Sequence, residues 1–110
     1  MKLDDIITTE VGSCCVYVQY PDGGTSGFRV AHNKPEELLE VIFAAFNHGS
    51  QQESKVFLNS KTRSMSVGDF VTFYNLGESS CYRVEPTGFK KVDSREFLIA
   101  KLKHRRSQII

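Results

Sequence analysis

Pro35-Glu36-Glu37-Leu38-Leu39-Glu40-Val41-Ile42-Phe43-Ala44-Ala45-Phe46 decides the fold, because its apolar residues recur at helical spacing between segments that alternate as strands do. Leu38, Leu39, Ile42, Phe43 and Phe46 step by one, three and four residues. They fall on one side of a helix predicted over about 35–48 and form its expected core face. Asn33 is placed to cap that helix, Pro35 suits its first turn, and Glu36 follows Asn33 at capping-box distance. Gly49 supplies a C-terminal stop.

Upstream, Cys14-Cys15-Val16-Tyr17-Val18-Gln19-Tyr20 is β-branched and aromatic, as strands are. Val16, Val18 and Tyr20 share one face; Cys15, Tyr17 and Gln19 share the other, more polar one. Pro21-Asp22-Gly23-Gly24 has turn chemistry, so a second strand over about 26–31 completes a hairpin. Residues 1–12 are polar and read as a loose lead-in or a short helical turn.

Downstream, Lys55-Val56-Phe57-Leu58 reads as a short strand, and 59–63 as a polar, positively charged loop. Phe70-Val71-Thr72-Phe73-Tyr74 and Ser80-Cys81-Tyr82-Arg83-Val84, joined through 75–79, form a second hairpin, with a last short strand over 89–92. Asp93 and Glu96 match a capping box that opens a final helix, with Phe97, Leu98, Ile99 and Leu102 expected to dock. These segments predict an α+β fold: an antiparallel, strongly curled sheet of five or six strands against one main helix, with a C-terminal helix.

The 110 residues suit a single domain over 1–110, and eight Phe and four Tyr supply a core without covalent staples. No apolar run approaches the roughly 20 residues that span a bilayer. The first residues carry Asp4 and Asp5 where a secretory leader needs cations. The expected setting is therefore the cytoplasm, with no membrane partner. Three cysteines, two of them adjacent and none in a Cys-x-x-Cys pair, point to reduced thiols packed as small apolar groups.

Three segments in order carry a resemblance: Leu39-x-x-Ile42-Phe43-x-x-Phe46-Asn47, then Ser64-Met65-Ser66-Val67-Gly68-Asp69-Phe70-Val71, then Tyr82-Arg83-Val84 ahead of Gly88-Phe89. Together they resemble the YodL-like domain and related short proteins of plasmids, conjugative elements and phages. Those proteins have a helix ending in Phe-Asn, a Ser-Leu-Ser-Val-x-Asp opening to a strand, and a Tyr-Val strand leading to Gly-Phe or Gly-Tyr. The likeness covers about 38–92, with Met65 where leucine is commoner. It implies a mobile-element context and a fold-defining role for Ser64, Ser66, Asp69 and Gly88. It supplies no catalytic or binding residue.

The remaining chemistry is sparse. His32, His48 and His104 share no metal-ligand spacing, and no Gly-x-Ser-x-Gly elbow or phosphate-binding glycine fingerprint occurs. Glu36 and Glu37 sit in a first helical turn, where acids complement the helix dipole. The expectation is a protein with no catalytic residue, metal or cofactor. Charge distribution is more telling. The net charge is +1, but 101–110 hold Lys101, Lys103, Arg105 and Arg106 and no acid, which leaves −3 for the rest. These four cations are the first candidate partner-binding residues, and the polar face of the first hairpin, Tyr17, Gln19 and Arg29, is the second. The expected activity is stoichiometric binding to a host or element-encoded protein, for example one of bacterial defence or transcription. The alternative is nucleic-acid binding through the basic tail.

Overall fold

The alternating segments pair into one antiparallel sheet. A computed structural model describes residues 1–10, 12–32 and 34–109. Its strands are β1 (Cys14–Gln19), β2 (Thr25–Val30), β3 (Phe70–Asn75), β4 (Glu78–Glu85) and β5 (Gly88–Val92), ordered β2-β1-β3-β4-β5. The order leaves β2 and β5 as edges, so the sheet is open rather than strongly curled, and it has five strands. Leu76 and Gly77, both at positive φ, make the two-residue turn between β3 and β4.

Register sorts the side chains. Val16 stands opposite Phe28 and Phe73, Val18 opposite Ser26 and Val71, and Val71 opposite Tyr82. These residues share an inner face, which α1 (Leu39–Ala45) and α2 (Lys55–Ser60) cover. Phe46 is the keystone: it is fully buried, stacks on Phe28 at 5.8 Å between ring centres and meets Phe57 at 5.5 Å. Leu38, Leu39 and Ile42 are buried as the helical stripe requires, whereas Phe43 is half-buried against Phe89 near the β5 edge.

Several local expectations are corrected. The first helix begins as a 3-10 turn, Pro35–Leu38, and its α-helical part is only Leu39–Ala45. The expected Asn33 cap lies outside the described residues. Lys55–Leu58 is not a strand: Ser54 Oγ accepts the Val56 N–H, and the Asp4 carboxylate accepts the Ser54 hydroxyl (2.7 Å) and the Lys55 N–H (3.3 Å). An acceptor some fifty residues upstream thus satisfies the first turn of α2. The same contact docks the N-terminus, which is no loose lead-in. Leu3 is buried in a 3-10 turn, and Ile7 bridges to Val30.

The segment 64–69 shows why its residue types are required. The Asp69 side chain is buried and accepts the Ser66 N–H at 2.8 Å. Arg63 meets it with two nitrogens, at 2.7 and 2.8 Å, and reaches Asp22 of the β1–β2 turn at 2.7 Å. The guanidinium also lies over the Tyr20 ring, 4.7 Å from its centre. Ser64 Oγ accepts the His48 N–H, and the Met65 N–H bonds to the Phe46 carbonyl. Gly68, at φ +94°, donates to the Val84 carbonyl and extends the pairing with β4. The Tyr20 hydroxyl, beside Thr62, is buried and makes no hydrogen bond of acceptable geometry among the described residues.

Two tests follow from this packing. Phe46→Ala is expected to cost about 3–5 kcal/mol in urea unfolding, and Phe43→Ala clearly less; equal losses would displace Phe46 from its central role. The second concerns acid stability. Arg63, through its hydrogen bonds, holds the Asp22 carboxyl below its ordinary range. That contribution is complete above the ordinary aspartate pKa of about 3.9 and is lost as pH falls through the lower folded value. Melting temperatures across this range should therefore fall less steeply for Asp22→Asn than for wild type. Arg63→Ala, which strands the buried Asp69 carboxylate, should cost about 3 kcal/mol at neutral pH.

Candidate interaction surface

Period-two alternation turns the other half of the strand residues outward. Across the outer face, one row runs Arg29, Cys15, Tyr74, Ser79, and the next runs Gly27, Tyr17, Thr72, Cys81, Val92. A third runs Thr25, Gln19, Phe70, Arg83, Lys90. The final helix, α3 (Arg95–Ile109), crosses this face at the third row. Asp93 caps it by accepting the Arg95 N–H at 2.9 Å. Phe97 packs edge-on against Phe70 at 5.5 Å, and Glu96 faces Arg83 at 3.8 Å. Farther along, His104 is near enough to Asp22 to favour its ionised form.

Only part of α3 docks. Phe97 is half-buried, but Leu98, Ile99 and Leu102, expected to pack with it, are 56%, 45% and 49% exposed. The reason is helical geometry: Phe97, Lys101 and His104, spaced by four and three, occupy the stripe against the sheet. Lys101 spends its alkyl chain there, with its ammonium 5.9 Å from the centre of the Phe97 ring. Lys103, Arg105 and Arg106 are exposed.

The two candidate sets thus lie on one side of the molecule. Gln19 pairs in register with Phe70, the residue on which α3 rests. Tyr17 is 36% exposed and makes an edge-to-face pair with Tyr74, 48% exposed, at 5.6 Å. Tyr17 lies against Gly27, where an added Cβ would come within 3.0 Å of the ring. Arg29 is exposed, and Gln19 is half-buried with its carbonyl accepting the Thr72 hydroxyl at 2.7 Å. Tyr74 is the member that the strand pattern alone missed; it enters through the β1–β3 register.

Charge on this side is one-signed where it is free. Asp22 pairs with Arg63, Glu85 and Glu96 with Arg83, and Asp93 with Arg95. Among the described residues, Arg29, Lys101, Lys103, Arg105 and Arg106 make no ion pair. No cluster of three metal-ligating side chains occurs among the described residues, and no described helix is long and apolar enough to cross a membrane.

The cysteines are free thiols. Cys14 is buried on the inner face; Cys81 is buried on the outer face near the start of α3, its Sγ 3.4 Å from the Thr72 hydroxyl oxygen. Burial pushes both thiols up, away from the reactive thiolate. Titration with a thiol reagent should modify Cys15 quickly and the other two slowly. Phe97→Ala, by loosening α3, should accelerate Cys81 and not Cys14; an unchanged Cys81 rate would mean that α3 does not shield it.

Comparison with known proteins bears on the same elements. The family model described as the YodL-like domain matches residues 26–95, from the second residue of β2 to the first of α3. Neither the curated proteins nor the solved structures contain a match. The match takes in Phe46-Asn47, the 64–69 turn around Asp69, and Gly88-Phe89, and it covers well over half of the sequence. This chain belongs to the YodL-like domain family.

Proposed function

We propose that this protein is a non-enzymatic accessory protein of a phage or plasmid. It acts by stoichiometric contact with a host protein in the bacterial cytoplasm, an enzyme of defence or transcription being the target class. The observation that supports this reading is the solvent side of α3. Leu98, Ile99 and Leu102 are exposed there among unpaired Lys103, Arg105 and Arg106. An apolar stripe edged by cations suits a helix laid into an acidic groove, with burial supplying affinity and charge supplying rate and orientation. Nucleic-acid binding through the tail alone has less support: the one aromatic of α3, Phe97, is turned onto Phe70.

The protein, immobilised and exposed to host lysate, should retain one host protein in about equimolar amount. Retention should weaken with added salt. It should be lost in the Leu98→Ser/Leu102→Ser variant and reduced in the Lys103→Gln/Arg105→Gln/Arg106→Gln variant. All these residues are exposed, so melting curves should shift little. Retention unaltered in both variants would remove α3 from the contact.

A further inference from the structure

The half of the outer face that α3 leaves open has a different character from the α3 stripe. It is built from β1, β2 and β3, and its exposed members are aromatic and cationic rather than aliphatic. Strand register brings Tyr17 and Tyr74 together although 56 residues separate them in sequence. Gly27, in the middle of β2, lets the Tyr17 ring settle onto the sheet. Two open hollows flank that ring. One, about 320 Å³, is lined by Tyr17, Gln19 and Tyr74; the other, about 300 Å³, has Cys15, Tyr17, Gly27 and Arg29 in its wall.

We infer that this sheet face binds single-stranded nucleic acid, with unpaired bases stacking at Tyr17 and Tyr74 and phosphates meeting Arg29 and the cations of α3. Three features select this occupant. Exposed rings on an open sheet face offer π-surface to any unstacked base, the means by which sheet-based modules take single strands. A duplex keeps its bases stacked inside and cannot use them. The open rows, Arg29-Cys15-Tyr74-Ser79 and Gly27-Tyr17, contain no carboxylate, and the acids farther along the face are each held by an arginine. The free charge is cationic and suits a polyanion. Gln19 engages Thr72 through its carbonyl, and its amide group has no partner among the described residues, so it can donate to a base edge. A second copy of this chain is disfavoured as occupant, because self-contact would bring the unpaired cations together.

This site shares the α3 cations with the protein contact proposed above but not its aliphatic stripe, so the Tyr17 and Leu98/Leu102 variants let the two fail separately. The test is fluorescence anisotropy with labelled oligouridylate and oligothymidylate of about ten nucleotides, each against a duplex of equal length, at two salt concentrations. Binding of either single strand in preference to duplex is expected, and the two probes distinguish RNA from DNA. Tyr17→Ala and Tyr74→Ala should each weaken binding about 5- to 150-fold, the range for loss of one stacking ring. Tyr17→Phe should retain most of the affinity, which separates stacking from mere folding. Lys103→Gln/Arg105→Gln/Arg106→Gln should flatten the dependence of log affinity on log salt by up to about 2. Leu98→Ser/Leu102→Ser should leave oligonucleotide affinity intact. Single strands bound no better than duplex, or affinity indifferent to Tyr17→Ala, would overturn the inference. So would capture of a host protein that depends on Tyr17 while oligonucleotides fail to bind, since the face would then serve a protein.

Discussion

A carboxylate buried at Asp69 obliges the chain to bring a cation to it, and much of the architecture is arranged around that obligation. An unpaired ion in that position would cost several kcal/mol. Arg63 answers with a two-nitrogen fork, and its remaining reach goes to Asp22 and across Tyr20. One guanidinium therefore joins the segment leaving α2, the opening of β3 and the β1–β2 turn. The hydrogen bonds to Asp69 and Asp22 raise its own proton affinity further, so the cation persists at any pH the fold survives. With the turn fixed, the Met65 N–H finds the Phe46 carbonyl, and the extension of β3 finds Val84. The hydrophobic core around Phe46 is then closed in register.

That arrangement gives the sheet two unlike sides. The inner side is sealed by α1, α2 and the docked N-terminus, with Leu3, Val16, Val18, Phe46, Phe57 and Phe73 withdrawn from solvent. The outer side is covered along the path of α3, where Phe97 meets Phe70. The helix that does the covering carries its own exposed apolar residues outward. An exposed cluster of this kind, rimmed by cations, is the feature on which the proposed protein contact rests.

Much of this was legible from residue spacing, and the failures have identifiable causes. The hairpins, the Leu38–Phe46 stripe and the Asp93 cap depend on neighbours a few residues away, so local pattern sufficed. Lys55–Ser60 misled because Val56-Phe57-Leu58 is a short apolar run that fits strand or helix. Its choice is made by Ser54 and by Asp4, a residue from the far end of the sequence. Leu98, Ile99 and Leu102 misled because an apolar helical residue is ordinarily a buried one, and only the position of Phe70 shows which stripe of α3 is in contact. On the outer face, Tyr17, Gln19 and Arg29 were visible as one polar strand face. The approach of Tyr74 and of the cations on α3 required the β1–β3 pairing and the path of α3.

The strand order also has a kinetic consequence. β1 with β2, and β3 with β4 and β5, are two locally closed pieces whose turns are short and whose pairing can begin independently. A single ladder, β1 against β3, joins them, and about fifty residues intervene between Gln19 and its partner Phe70. Closing that loop costs chain entropy before the contacts repay it, so the seam sets the pace of folding rather than either hairpin. Residues 26–95 by themselves lack β1, the strand to which β2 is paired. The boundary of the recurring sequence pattern is therefore not a boundary at which the sheet can be cut.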